Sequence, residues 1–142
     1  ESHYTPHFNI TNMKKLLFMF MLLFTLTSSD VIAQNVQWYQ TTEFAYKLKG
    51  YDWSDWEPSK MNVKMDLSQD KITIYSNDVQ IYRVISTETP PYDPSGQQVK
   101  FGIVDQDGDY GYLRLRIENN GNSQIYVDFN DISWVYNVIR IR

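Results

Sequence analysis

The stretch Lys60-Met61-Asn62-Val63-Lys64-Met65-Asp66-Leu67 decides the fold. Met61, Val63, Met65 and Leu67 alternate with Lys60, Asn62, Lys64 and Asp66. That period of two turns one face of an extended chain to a core and the other to water. Working outward, Ile72-Thr73-Ile74-Tyr75 follows through Ser68-Gln69-Asp70-Lys71, and Val79–Ser86 follows the turn signal Ser76-Asn77-Asp78. Val99–Val104 and Tyr112–Ile117 flank Asp105-Gln106-Asp107-Gly108-Asp109, and Gln124–Phe129 and Ser133–Ile141 come last. With an opening strand around Val36–Leu48 the count reaches about eight, and no stretch of convincing length has helical spacing. The chain reads as all-β.

Hairpin parity refines this reading, because residues paired across a turn share a face. A three-residue loop Gln106-Asp107-Gly108, with Gly108 left-handed, sets Phe101 opposite Leu113 and Val99 opposite Leu115. A two-residue Asp107-Gly108 turn would instead set Phe101 against Arg114 and mix core with solvent. Matching Ile117 with Ile125 by the same logic centres the next turn on Gly121 and requires another odd loop.

Short strands joined by tight turns, with no long crossover, predict a single antiparallel up-and-down meander. It closes or nearly closes into a small barrel of lipocalin or avidin type, because an open meander leaves two exposed edges. A sandwich is the alternative. The long irregular segment Glu88–Gln97 carries Pro90, Pro91, Pro94 and Gly96 and reads as a surface loop dividing the strands into two sets of four.

The first 33 residues read differently. Leu16–Leu26 is an eleven-residue apolar run behind Met13-Lys14-Lys15, followed by Thr27-Ser28-Ser29-Asp30 and then Val31-Ile32-Ala33. That layout predicts a signal peptide over 13–33 cut after Ala33, with 1–12 as upstream or expression-derived sequence and 34–142 as the β-barrel domain. Eleven helical residues span about 16 Å, half of a bilayer core. The expected location is secreted or periplasmic.

Composition narrows the chemistry. The 142 residues carry 13 Lys+Arg against 17 Asp+Glu, with 42% hydrophobic and 15% aromatic residues, which fits a globular chain and not a disordered one. The mild acidity argues against nucleic acid as a partner. There is no cysteine, and both histidines, His3 and His7, precede residue 34. The domain therefore lacks the side chains for disulfides, Ser-His-Asp or Cys-His hydrolysis, and thiolate- or imidazole-held metals. Only carboxylate chemistry survives, with Asp52, Asp55 and Glu57 as the available groups. The reading is a non-enzyme with no cofactor, no metal and, after signal cleavage, no membrane partner.

Two constellations stand out. Asp105, Asp107 and Asp109 around Gly108 carry calcium-ligand chemistry, but the twelfth position is Arg116 where an EF-hand has Glu, and strands flank the loop. A hairpin turn with solvated carboxylates is the better reading. Tyr51, Trp53 and Trp56, in Gly50-Tyr51-Asp52-Trp53-Ser54-Asp55-Trp56-Glu57-Pro58, combine flat rings with carboxylates, as a carbohydrate site requires. The competing reading places these tryptophans as plugs at one end of the barrel, with satisfied indole N–H groups. The aromatics inside the strands, Trp38, Tyr46, Tyr82, Tyr112, Tyr126, Trp134 and Tyr136, read as core and cross-strand pairs.

The signal-like segment ending in Ala33 before Gln34, together with Trp53-Ser54-Asp55-Trp56, Val104-Asp105-Gln106-Asp107-Gly108-Asp109 and Trp134-Val135-Tyr136-Asn137-Val138, resembles small secreted β-domains of Bacteroidota and their phages. The resemblance implies compartment and source, and no mechanism. The functional expectation is a secreted, non-catalytic binding module for a glycan or surface polymer, using Tyr51, Trp53 and Trp56. The alternatives are a protein-interaction or inhibitory domain of the cell envelope working through Glu88–Gln97 or a sheet edge, and a lipocalin-like carrier of small ligands.

Overall fold

A computed structural model describes residues 36–91, 93–120 and 122–142; the segment read as a signal peptide lies outside the described residues. Nine strands follow in chain order: β1 (Val36–Leu48), β2 (Glu57–Pro58), β3 (Asn62–Asp66), β4 (Lys71–Ile74), β5 (Gln80–Glu88), β6 (Gly96–Val104), β7 (Tyr110–Glu118), β8 (Ser123–Asp128) and β9 (Ile132–Arg140). Every pairing is antiparallel, and β1 and β3 to β9 each pair with the next in that order. β9 then returns to β1, pairing Tyr39 with Arg140 and Leu48 with Ile132 at the two ends of the register. The eight strands thus form a closed, lipocalin-like up-and-down barrel and not a sandwich. Closure leaves no long free edge on β1 or β9. The two-residue β2 is an extra piece laid against β1.

The interior is apolar because the period-two residues of each strand converge there. Tyr39, Val63, Met65, Ile72, Ile74, Tyr82, Phe101, Ile103, Leu113, Ile125, Val127, Tyr136 and Val138 are all buried in one cluster. Each such side chain removed from water contributes about 1.5–3 kcal/mol before the entropy cost of ordering it. At the end carrying the 105–109 and 129–131 turns, Phe129 lies between Tyr82 (6.3 Å between ring centroids) and Trp134 (5.9 Å, stacked). Burial lifts the Tyr39, Tyr82 and Tyr136 hydroxyls above the usual tyrosine range. The Tyr82 hydroxyl donates to Gln80 Oε1 at 2.7 Å. The Trp134 indole N–H is buried near the Tyr136 hydroxyl, with no partner inside hydrogen-bond distance among the described residues.

The 105–109 hairpin has the expected three-residue loop. Phe101 faces Leu113, Val99 faces Leu115, and Gly108 has φ +84°. The Asp105 carboxylate accepts the backbone N–H groups of Asp107 (3.0 Å) and Asp109 (2.8 Å), so that side chain closes its own turn.

The next turn differs from expectation by two residues. Ile125 pairs with Leu115, while Ile117 pairs with Ser123, which centres the turn on Asn120 instead of Gly121. Parity survives the shift, so Ile125 still faces inward. The reason lies in the turn's own hydrogen bonds: Glu118 N–H donates to the Asn122 carbonyl and Asn122 N–H to Asn120 Oδ1. Ile117 is left half exposed near the barrel end.

Glu88–Gln97 is shorter as a loop than expected, because Glu88 ends β5 and Gly96 begins β6. Its tip is tied down. Asp93 Oδ1 accepts from the Ser95 N–H (2.9 Å) and hydroxyl (2.8 Å), and Arg116 donates to Ser95 Oγ at 2.9 Å. The Ser95 N–H, then the Ser95 hydroxyl, hold the Asp93 carboxyl below the usual carboxylate range, with a smaller pull from Arg116. A lowered folded-state pKa means the contribution is present above the ordinary value near pH 4 and is lost as pH falls through the folded value. Amide-exchange protection at Ser95 is therefore expected to drop only below about pH 4. In Asp93→Ala it should be low at every pH; full protection of Ser95 in that variant would show that Asp93 does not hold the loop.

Candidate functional site

The β1–β3 connection builds the site. Beyond Gln40, β1 no longer pairs with β3, and the connecting segment folds back to cover that edge. It leaves β1 through a turn with Gly50 at φ +84°, where the Tyr51 N–H donates to the Leu48 carbonyl. Ser54 then pins it: its N–H donates to the Tyr46 carbonyl (2.8 Å) and its Oγ accepts the Tyr46 N–H (2.9 Å). Glu57 and Pro58 of β2 pair with Phe44 and Glu43. Ser59 N–H donates to the Thr42 carbonyl, and the Ser59 and Thr41 hydroxyls bond at 2.8 Å. Anchors on both sides of Trp53 and Trp56 make this a strap, not a free loop.

A β-bulge between Thr41 and Glu43 reverses the inward parity of β1. Tyr39 and Thr41 are buried before it; beyond it Phe44 packs on the core and Ala45 belongs to the outer face. Ala45 pairs with Val135, and Val135 with Tyr126, in one outer row across β1, β9 and β8. Ala45 and Val135 are nonetheless buried, because the strap lies over them. Trp53 and Trp56, with Ser54 and Tyr126, wall a cleft of about 270 Å³ whose floor is Ala45 and Val135. Trp53 meets Tyr126 edge-on at 6.4 Å.

The structure thus brings together two of the three aromatics singled out from sequence. Trp53 and Trp56 share the cleft, 42% and 45% exposed; Tyr51 is 71% exposed and is not among the cleft's lining residues. The expectation that these tryptophans plug a barrel end is corrected: they sit on the outer wall, and Trp134 with Phe129 occupies the end instead. Sequence reasoning placed Tyr126 among core and cross-strand pairs and missed it as a cleft wall. Its one available signal was its outward position opposite Arg114, which alternates with Leu113 and Leu115.

Beyond Tyr126 the outer wall continues with charge. The Arg114 guanidinium lies 4.3 Å from the Tyr126 ring centroid, and its Nε donates to Asp128 Oδ2 at 2.8 Å. Lys100 Nζ sits 3.9 Å above the Tyr112 ring. Next to that row, Tyr126 donates to Gln124, Gln124 to Asn137, and Asn137 to Glu43. Asp52, Asp55 and Glu57 are exposed and are absent from the cleft lining. Among the described residues, no group of three or more His, Cys, Asp or Glu converges as a metal site.

A second depression, about 560 Å³, is bordered by Lys60, Met61, Tyr75, Ser76, Asn77, Asp78 and Gln80. No protein-family model, no curated protein and no solved structure matches this chain.

Proposed function

We propose that the chain is a secreted or periplasmic, non-catalytic binding module that takes a glycan or surface polymer on its outer wall through Trp53 and Trp56. The observation carrying this reading is that the two indoles are half exposed yet fixed, on a strap hydrogen-bonded to β1 before them at Tyr51, between them at Ser54 and after them at Ser59. Leaving large apolar rings in water forgoes burial free energy, and holding them in one geometry lowers the entropy cost of binding. Flat rings above a small-residue floor suit the C–H faces of sugars, and the neighbouring Gln124, Asn137 and Glu43 offer partners for hydroxyls. The barrel wall supports an aqueous setting: Lys64, Arg114, Arg116 and Asn137 stand on outward positions and apolar residues fill the interior, the reverse of a membrane-spanning barrel.

The test is tryptophan fluorescence of residues 34–142 titrated with a panel of bacterial and plant polysaccharides. A saturable shift is expected, weakened at least about tenfold in Trp53→Ala or Trp56→Ala with circular dichroism unchanged. Unfolding of both variants would make the indoles structural and remove the reading.

A further inference from the structure

We propose that the polymer is acidic: a uronic-acid polysaccharide whose carboxylates meet Arg114 and Lys100 while its sugar rings lie against Trp53 and Trp56. This inference rests on the binding reading above and names its ligand class. The cross-strand row running outward from the cleft is Val135, Tyr126, Arg114, Lys100. Neighbouring strands lie about 4.8 Å apart, so the two cations stand roughly one and two strand spacings beyond Tyr126.

Both are held in place before any ligand arrives. Arg114 lies over the Tyr126 ring with its Nε committed to Asp128, and its two terminal nitrogens make no hydrogen bond to the described residues. That leaves the end of the guanidinium fork free for a planar carboxylate. Lys100 is held over Tyr112 and forms no ion pair among the described residues, although Glu88 stands opposite it in register. The same geometry disfavours a neutral polymer here. The cations occupy ring faces of Tyr126 and Tyr112 that an uncharged sugar would need for stacking, whereas an anion is drawn to them. The row also carries acids, Asp128 paired with Arg114 and Glu88 next in register beyond Lys100. The attraction for an anion therefore rests on the open end of the Arg114 guanidinium and on the Lys100 ammonium, and not on the net charge of the patch.

The experiment compares polygalacturonate, alginate and hyaluronan with methyl-esterified polygalacturonate of matched length, using the fluorescence titration at low and moderate salt. The expected result is saturable binding of at least one uronate polymer that weakens as salt rises and is at least tenfold weaker for the ester. Lys100→Gln should reduce uronate affinity severalfold with an unchanged circular dichroism spectrum, and Arg114→Gln should do the same. Equal binding of acid and ester with a silent Lys100→Gln would overturn the acidic assignment and leave polymer binding standing. A response confined to neutral polysaccharides would do likewise. No response to any polymer, charged or neutral, would remove both readings.

Discussion

Leu113→Ala is expected to lose about 2–5 kcal/mol of stability, a large part of the roughly 5–15 kcal/mol that holds a domain of this size. Leu113 is fully buried and is paired between Phe101 on β6 and Val127 on β8, both buried themselves. Truncation removes its transfer free energy and leaves a cavity between neighbours fixed by two hydrogen-bonded ladders, so the site has little room to collapse. One residue along, Arg114 faces the outer wall in a partly exposed ion pair with Asp128. Arg114→Ala should therefore cost no more than about 1 kcal/mol. Urea denaturation of the two variants, read at equal slope, measures the contrast. Equal losses would mean that β7 does not have one dry face and one wet face.

The second large effect is expected at Gly111, where a side chain is excluded by backbone and not by a movable neighbour. A Cβ built there would lie 2.6 Å from the Asp128 carbonyl oxygen and 2.8 Å from the Phe129 ring. Gly111 pairs with the buried Ile103, in the part of the barrel filled by Phe129 and Trp134. Gly111→Ala should destabilise by about 1–3 kcal/mol through overpacking. The accompanying fall in melting temperature should be about 5–20 °C for a domain near one hundred residues. Adding Phe129→Ala should not restore stability, because the carbonyl contact remains. Full recovery in the double variant would show that the ring alone excludes the methyl group. By contrast, Gly108 has nothing within 4 Å of a built Cβ, and its constraint is its positive φ alone.

These residues also show what the sequence could and could not say. β3 and β7, and β6 as far as Ile103, were readable because their apolar residues alternate, and the Gly108 hairpin was readable because parity rules out the two-residue loop there. β1 resists the same treatment. Its bulge shifts the inward set from Tyr39 and Thr41 to Phe44, so alternation read from the front of the strand would send Glu43 and Ala45 into the core. The same holds for β5, where a bulge between Val84 and Ser86 leaves Ile85 half exposed. Trp53 and Trp56 were visible as an unusual pair of rings. Their position on the outer wall depends on Ser54 and Ser59 reaching back to β1, contacts between ordinary residues that carry no periodic signal. Tyr126 and Trp134 lie in neighbouring strands, one facing out and one facing in. Residue type alone cannot assign those faces.

The pairing of β1 with β9 has a consequence for how the molecule comes into being. Leu48 must find Ile132, and the Trp38 N–H must find the Arg142 carbonyl, across nearly the whole length of the barrel chain. Loop-closure entropy of that kind delays folding, because the rewarding contacts are the most distant in sequence. During synthesis, every strand before β9 can assemble only an unsealed sheet with β1 bare along one side. The native state therefore waits for β9, and until residues 132–142 are free to pair with β1 the barrel stays unsealed, however complete the rest of the sheet is.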